Sequence, residues 1–377
     1  MDYSNSVEIL DTEHKEYVRY VAFDHFGKRL ATCSSDKTIK IWQKSPRGNW
    51  IKACSFQAHD APATKVKWAH PEQGFILASC ASDNSVIIWE EKKKVSFVKG
   101  GQDSMISEEE EDYTTSFIQR AKFADSKESV EDIKFGPRHL NLMLATASAD
   151  GYLRIYEAPD VFNLNQWKLN YEVQVTSLGI NCISWNKNPF DSPMIVVGTK
   201  DAKSSLMDKN ASKGQMMDQS LSNENLVAPL NEDKLLSVYA CRDNRWGLVK
   251  ELRSKSQRHQ AAVNDVSWAQ LNARSYHMIV SCGVEGVFVW YVRFEDDGIK
   301  SIKMDVLDSQ PILEKVAVWK ASWNAMSTLL AFSGRDGKAR VCQCGYDKRW
   351  TIASEFQEDA AEPEAKSTML FGKKGIF

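Results

Sequence analysis

A serine, a histidine and an aspartate near the start of the chain could together form a nucleophilic catalytic set. Ser34 and Asp36 lie in the segment LATCSSDKTIKIW at 30–42, and His14 precedes it. In such a set the histidine takes the serine proton and the aspartate orients the histidine. The segment recurs, however, as LASCASDNSVIIW at 77–89, LATASADGYLRIY at 144–156 and LAFSGRDGKARVC at 330–342. A catalytic site is needed once, and no nucleophile elbow surrounds the serine, so the repetition favours a structural role.

The repeated segments share one spacing. In each copy an aspartate stands six residues before a terminal position, in the pairs Asp36 and Trp42, Asp83 and Trp89, Asp150 and Tyr156, and Asp336 and Cys342. A fifth copy at 279–290 ends at Trp290 and has Glu285 near the aspartate position. A sixth is divided between 194–201 and 234–239. The chain therefore contains six units.

Each unit is predicted to contain four strands. In TIKIW, Ile39 and Ile41 face one way and Lys40 and Trp42 the other, as a pleated strand requires. An alternating run ending in an aromatic residue precedes each copy, and a further short run follows it. The terminal positions are separated by 47, 67, 83, 51 and 52 residues, close to the length of a propeller blade with insertions in two units. We therefore predict an all-β, six-bladed β-propeller.

Three histidines have a common offset that suggests a structural role. His14, His59 and His259 each stand nine residues before the aromatic residue that ends the first strand of their unit. The pattern resembles WD-repeat propellers, in which a histidine, a serine or threonine, a turn aspartate and a strand tryptophan form a buried hydrogen-bonded chain. The resemblance implies such a blade network at His14, Ser34, Asp36, Trp42, His59, Asp83, Trp89, Asp150, Tyr156, His259, Trp290 and Asp336. Unit two departs from the pattern with Ala81 at the serine position.

Composition argues against several other functions. The 48 basic and 50 acidic side chains give a net charge of −2, which does not favour direct nucleic-acid binding. The N-terminus lacks a signal-peptide pattern, and no run of apolar residues is long enough for a transmembrane segment. Cys342 and Cys344 lie two apart, but no second pair stands at a zinc-ligand spacing. We expect no metal, no cofactor, no catalysis and an intracellular location.

The domain organisation follows from the repeat boundaries. We predict an N-terminal strand within residues 1–13, the propeller at 14–357 and a polar tail at 358–377. Charged and polar insertions at about 92–115 and 201–233 are expected to be exposed, flexible loops inside units two and four.

Three segments carry a more specific resemblance, over most of residues 14–357. HLNLMLATASADGYLRIYEAPDVFNLNQW, KWAHPEQGFILASCASDNSVIIWEE and CISWNKNPFDSPMIVVG resemble the Sec-thirteen-homologue family of nucleoporins, which are WD-repeat proteins of the nuclear pore's Y-shaped scaffold. The resemblance implies an open propeller completed by a blade from a helical scaffold nucleoporin, contacts with other Y-complex nucleoporins, and a location at the nuclear envelope. It also implies membership of a nutrient-sensing complex that regulates TOR signalling, with a second location at the lysosomal or vacuolar surface.

Two other classes of protein remain alternatives. A propeller of endoplasmic-reticulum vesicle coats shares the blade motif, and the segment IYEAPDVFNLNQW favours the nucleoporin family over it. A peptide-binding WD-repeat adaptor also shares the fold, and sequence cannot place the exposed ring of side chains that such an adaptor needs. An enzyme has least support, because phosphate loops and metal clusters are lacking.

One short strand precedes the first histidine without companions of its own. The segment SVEIL at 6–10 stands where a fourth blade strand would stand before the next unit's histidine. A lone strand has unpaired backbone groups and is stable only if paired. We predict that Val7, Glu8, Ile9 and Leu10 bind the partner, closing a seventh blade whose other three strands the partner donates.

Overall fold

The computed structural model describes residues 7–93, 115–201, 235–242, 245–254, 259–272, 274–296, 302–357 and 368–372. Within these ranges the chain forms strands, with a single 3-10 helix at Pro71–Gln73 between two strands of the second unit. The alternating apolar pattern of the sequence accounts for this strand content, because it matches the two-residue period of a pleated strand.

Six consecutive groups of four strands form the blades, preceded by β1 (Val7–Asp11). Blade one contains β2 (Val18–Phe23), β3 (Arg29–Ser34), β4 (Thr38–Lys44) and β5 (Trp50–Gln57). Blade two contains β6 (Ala63–Trp68), β7 (Ile76–Ala81), β8 (Val86–Lys93) and β9 (Thr115–Phe123). Blade three contains β10 (Val130–Phe135), β11 (Met143–Ser148), β12 (Tyr152–Glu157) and β13 (Lys168–Gln174).

The remaining blades repeat this order. Blade four contains β14 (Ile180–Trp185), β15 (Met194–Thr199), β16 (Leu236–Arg242) and β17 (Arg245–Glu251). Blade five contains β18 (Val263–Trp268), β19 (His277–Gly283), β20 (Gly286–Asp296) and β21 (Ile302–Glu314). Blade six contains β22 (Val318–Trp323), β23 (Leu329–Gly334), β24 (Lys338–Cys344) and β25 (Trp350–Gln357). The last strand is β26 (Thr368–Gly372).

Within each blade the strands follow one another in chain order. This confirms the all-β, six-bladed β-propeller and the four strands per unit. The predicted first strands also end where expected, at Phe23, Trp68, Phe135, Trp185, Trp268 and Trp323. The residue after the turn aspartate of blade three has a left-handed backbone: Gly151 has φ +82°, and a Cβ there would lie 1.8 Å from the Thr176 carbonyl oxygen. Only glycine fits at that point of blade three.

The described chain divides into two compact units. The first comprises the described residues of 1–138, 158–168 and 363–375, and the second comprises those of 139–157 and 169–362. In the first unit, Ile39 and Ile41 of blade one pack with Val66 and Leu77 of blade two. In the second compact unit, one apolar cluster includes Val196 and Trp268, and another includes Val280 and Leu330. In both units the blades are therefore joined by apolar side chains from neighbouring sheets.

Strands from the two ends of the chain pair with each other. β26 lies within the tail at 358–377 and pairs antiparallel with β1. The apolar residues Met369, Leu370 and Phe371 interrupt the polar composition and give the segment strand propensity. β1 is consequently paired with a strand of the same chain. The predicted insertions fall almost wholly outside the described residues, between β8 and β9 and between β15 and β16.

Candidate functional site

His14 is the centre of a hydrogen-bond chain in blade one. Its Nδ1 lies 3.0 Å from Oδ2 of Asp36, and its Nε2 lies 2.9 Å from the Thr32 hydroxyl oxygen. The Trp42 indole N–H donates to the same hydroxyl oxygen at 3.3 Å. The chain of contacts thus links the turn after β3 to the end of β4 through a buried imidazole.

Ser34 lies outside this chain, which corrects the assignment made from the sequence. Its hydroxyl donates to the Glu16 carbonyl oxygen and accepts from the Asp36 backbone N–H, both at 3.1 Å. Thr32 occupies the predicted place because Trp42 pairs with Leu30 across the sheet, only two residues from Thr32 on the same face. Ser34 is one further step away and instead fastens the turn.

Electrostatics define the direction of the hydrogen bonds. Burial opposes ionisation of Asp36, but hydrogen bonds from Thr38, from the Lys15 backbone and from His14 outweigh it and lower the carboxyl pKa to about 2. Burial lowers the pKa of His14, against the opposing effect of the Asp36 carboxylate. At neutral pH an uncharged imidazole therefore faces a carboxylate, so Nδ1–H donates to Asp36 and Nε2 accepts from Thr32.

This arrangement cannot perform nucleophilic catalysis. The nitrogen of His14 that can act as a base, Nε2, faces the Thr32 hydroxyl, which is completely buried, as is Ser34. A substrate carbonyl has no access to either oxygen, and a nucleophile must be reached by its substrate. The group serves to hold two strands and a turn together.

Blade two contains a complete network of the same kind. His59 Nε2 lies 2.8 Å from the Ser79 hydroxyl oxygen, which also accepts from the Trp89 indole at 2.8 Å. His59 Nδ1 lies 3.1 Å from Asp83, whose pKa is lowered because hydrogen bonds from His59 and Ser85 outweigh burial. The hydroxyl comes from Ser79, two residues before Ala81. Unit two therefore follows the pattern, with the hydroxyl two residues earlier than predicted.

Blade five has the same histidine and tryptophan contacts, but its acidic side chain lies farther from the histidine. His259 Nε2 lies 2.7 Å from the Ser281 hydroxyl oxygen, and the Trp290 indole donates to it at 2.8 Å. Glu285 stands at the aspartate position, 3.8 Å from His259 Nδ1, and this nitrogen has no hydrogen-bond partner among the described residues. Burial alone lowers the pKa of His259 to about 4.

Blades three and six use arginine, which the sequence reasoning missed. Arg154 is 1% exposed and donates to Asp150 at 2.9 Å, to Ser148 at 2.9 Å and to Glu172 at 2.7 Å. Burial acts to lower its pKa, but the two carboxylates raise the pKa by more. Tyr156, at the terminal position, is buried.

In blade six the Arg340 guanidinium pairs with Asp336 and lies 3.5 Å from Glu355. Its pKa is raised, chiefly by the Asp336 hydrogen bond. A signal for both arginines was present in the sequence. Units three and six have Ser126 and Glu314 at the histidine position, and each has an arginine two residues before its terminal position. The cation that neutralises the turn aspartate thus comes from within the third strand.

The cysteines and the other potential metal ligands of the described ranges are dispersed over the blades. All eight cysteines are free, and burial raises the pKa of the Cys342 thiol to about 11. No group of three or more histidine, cysteine or acidic side chains in these ranges is arranged to hold a metal ion. Nor does the described part of the chain contain a helix long and apolar enough to cross a bilayer.

β1 carries the predicted partner-binding residues and is attached to blade one. Leu10 packs with Leu30 and Trp42. Val7, Glu8 and Ile9 lie opposite Gly372, Phe371 and Leu370 of β26. The four residues therefore lie in one strand, whose backbone is already paired along one edge.

Blade six leaves part of one sheet face uncovered. Ile39, Val86 and Leu153 are buried in blades one to three, three residues after the turn aspartate, whereas the matching residue of blade six, Ala339, is exposed. Val341 on the same face is partly exposed, although its counterpart Ile41 is 1% exposed. Leu330, Phe332 and Cys342 on the opposite face are buried. One face of blade six thus belongs to the core and the other remains accessible.

Comparisons with known proteins agree with this architecture. The family model described as "WD domain, G-beta repeat" matches residues 6–43 and 50–90. The chain is 34% identical to nucleoporin SEH1-A of Xenopus laevis over 357 residues, covering 92% of this chain and 87% of the relative. It is 34% identical to nucleoporin SEH1 of Homo sapiens, covering 90% and 84%, and 31% identical to nucleoporin seh1 of Drosophila melanogaster, covering 98% and 97%.

The buried blade networks and the six four-stranded sheets define a WD-repeat β-propeller. The identity of 31–34% to these relatives extends over at least 90% of the chain, so it also shows the family within this class. The chain belongs to the SEH1 family of WD-repeat nucleoporins.

Proposed function

We propose that this protein is a structural component of the nuclear pore scaffold and works by binding a helical scaffold nucleoporin. The observation that carries the proposal is the uncovered face of blade six, around Ala339 and Val341. Apolar or small side chains on an exposed sheet face are typical of a surface that a partner covers. The names of its relatives, all nucleoporins, support the pore as the site of assembly.

The partner is proposed to donate strands that complete a further blade. Such strands would add to the edge of β1, through Val7, Glu8, Ile9 and Leu10. The Ala339 face of blade six is a second surface that the partner would contact. Strand addition supplies affinity through backbone hydrogen bonds and specificity through alternate side chains. Other Y-complex nucleoporins would then join through the helical partner and need no separate enzymatic or nucleic-acid activity of the propeller.

A second assembly is proposed from the resemblance alone. The same propeller would also serve in the nutrient-sensing complex that regulates TOR signalling, at the lysosomal or vacuolar surface. One partner-binding edge can serve two complexes if each contributes a strand-donating subunit. The pore role is the primary proposal, because the relatives are named as nucleoporins.

Location and partner recovery test the proposal together. A tagged full-length chain should lie at the nuclear rim and co-purify with nucleoporins identified by mass spectrometry. A location confined to endoplasmic-reticulum exit sites would instead establish the coat-protein alternative. Recovery of short peptides bound without any helical scaffold protein would favour the peptide-binding adaptor.

A substitution on blade six makes the test specific to the surface. Ala339→Arg places a long charged side chain on the uncovered face without disturbing a buried group. Recovery of the scaffold partner should fall about tenfold or more, since an interface that must desolvate an unpaired charge loses ~2 kcal/mol or more. The control Tyr346→Arg alters an exposed turn residue between β24 and β25. Equal recovery of the two variants would refute the assigned surface.

A further inference from the structure

β1 is held in place independently of the strand that pairs with it. Leu10 packs against Leu30 and Trp42 of blade one. Beyond the strand, the Lys40 ammonium donates to the carbonyl oxygens of Thr12 at 3.0 Å and Glu13 at 2.6 Å. Thr12 is completely buried. The C-terminal end of β1 therefore remains attached to blade one whether or not a second strand is present.

β26 pairs with β1 over the whole length of both strands. The antiparallel register runs from Val7 opposite Gly372 to Asp11 opposite Thr368. The two strands form a sheet of their own. An isolated two-stranded sheet is marginally stable, so this pairing depends on the anchorage of β1 and on the tethering of β26.

The tether is short. β25 ends at Gln357 and β26 begins at Thr368, so only residues 358–367 separate the last blade from the pairing strand. A short linker gives a tethered segment an effective concentration on the order of 1 mM at its site. Such a concentration populates a weak complex that would not form between separate molecules at micromolar concentrations.

We propose that the edge of β1 is a strand-binding site and that the chain's own C-terminal strand β26 is its cis ligand. An extended segment from another protein then reaches this edge only after β26 leaves it. The first statement stands without any partner, whereas the second rests on the proposed function. A partner strand must therefore compete with β26 for the edge of β1.

Opening the site in the full-length chain provides the test. Leu370→Pro and Met369→Pro each put proline inside β26, opposite Ile9 and Leu10. Backbone N–H groups of successive strand residues point to opposite edges, so one of the two variants removes a donor toward β1 and both disfavour the strand. Glu364→Pro, outside β26 in the same tail, is the matched control. Thermal melts should show the same main transition for all variants.

The probe is a fluorescent peptide with the sequence of residues 366–374, KSTMLFGKK, measured by anisotropy. It should bind the opened variants about tenfold or more tighter than the parent or the Glu364→Pro control, because β26 occupies the edge in the latter two. Hydrogen exchange of the β1 amides should be faster in the opened variants without peptide, and slower again when peptide is added. A scrambled peptide should not bind.

Two results would overturn the inference. One is equal peptide binding, or equal lack of binding, by the parent and both opened variants. The other is unchanged exchange of the β1 amides after either proline substitution. Neither result bears on nuclear-rim location or on the Ala339→Arg comparison, so failure of the cis ligand and failure of the scaffold function can be told apart.

Discussion

At the scale of single residues, the position of a hydroxyl group decides whether a blade network is complete. Thr32 accepts from the Trp42 indole and contacts His14, while Ser34 bonds backbone groups of the turn. The two residues lie on the same face of β3, so their different roles come only from their distance along the strand to the partner tryptophan.

Thr32→Val should therefore destabilise the protein more than Ser34→Ala. Valine preserves the shape of threonine but leaves the His14 and Trp42 nitrogens without their partner, which costs about 1 to 3 kcal/mol for each buried polar group left unpaired. Loss of the Ser34 hydroxyl should cost about 1 kcal/mol. Urea unfolding of both variants gives the comparison. A larger loss for Ser34→Ala would restore the assignment made from the sequence.

His259 should make the stability depend on pH. Its pKa is about 4 in the folded chain and about 6.5 in the unfolded chain, so the unfolded state takes up a proton first. Stability is then retained above pH 6.5 and lost as the pH falls from about 6.5 to about 4, by about 3 kcal/mol.

The variant His259→Gln, which does not titrate, should lose correspondingly less stability between pH 7 and pH 4.5 in denaturant unfolding. Phe162→Gln changes an exposed side chain that does not titrate and should retain the parent's pH profile. If the His259→Gln profile matched the parent's, burial would not be holding this imidazole neutral.

At the scale of the strand and the blade, two different kinds of side chain bind the turn aspartate. Blades one and two place a histidine from before the first strand beside the carboxylate. Blades three and six place an arginine from the third strand there. The arginine device joins the turn to the fourth strand as well, because Arg154 also pairs with Glu172 of β13.

Arg154→Met should be among the most damaging single changes in blade three. It leaves the buried Asp150 carboxylate without its cation, and removing one partner of a buried ion pair costs about 3 to 5 kcal/mol. Arg120→Met breaks the more exposed pair with Glu90 in blade two and should cost no more than about 1 kcal/mol. Chemical denaturation of the two variants measures the contrast, and similar losses would contradict it.

At the scale of the whole molecule, the large insertion in blade four begins and ends at neighbouring positions of the β15–β16 pair. Gly198 lies opposite Leu236, and the Thr199 N–H donates to the Leu235 carbonyl oxygen at 3.0 Å. The two ends of the insertion are thus already joined by the sheet, so the connection between them can be shortened without moving either strand.

Deletion of residues 204–229 should leave the melting temperature within a few degrees of the parent's. Shortening a loop whose ends are held together reduces its closure entropy and removes no ladder contact. Soluble yield and a thermal melt are the measurements. Aggregation of the deleted chain would show that the insertion packs against the blades.

At the same scale, β1 cannot be removed without disturbing blade one. Leu10 belongs to the core of blade one, and Thr12 is completely buried. Removal of residues 1–12 would expose Leu30 and Trp42 as well as remove the partner edge. A substitution confined to the strand, such as Glu8→Pro, separates the two effects.

The sequence by itself determined the number of units, the strands in each and the class of the fold. Those features depend on local alternation and on spacings of a few residues, which a pleated sheet imposes wherever it forms. The turn aspartates and the histidines His14, His59 and His259 could likewise be recognised from their offsets.

Only the tertiary structure decided which hydroxyl meets the imidazole, how arginine replaces histidine, and where β1 finds its partner strand. Each of these depends on contacts between residues distant in sequence: Thr32 with His14, Arg154 with Glu172, and Val7 with Gly372. Spacing along the chain assigns each residue to a strand face, but it does not determine which residue of another strand lies opposite. The exposure of Ala339 has the same origin, because burial depends on what packs over a face and not on the face's own sequence.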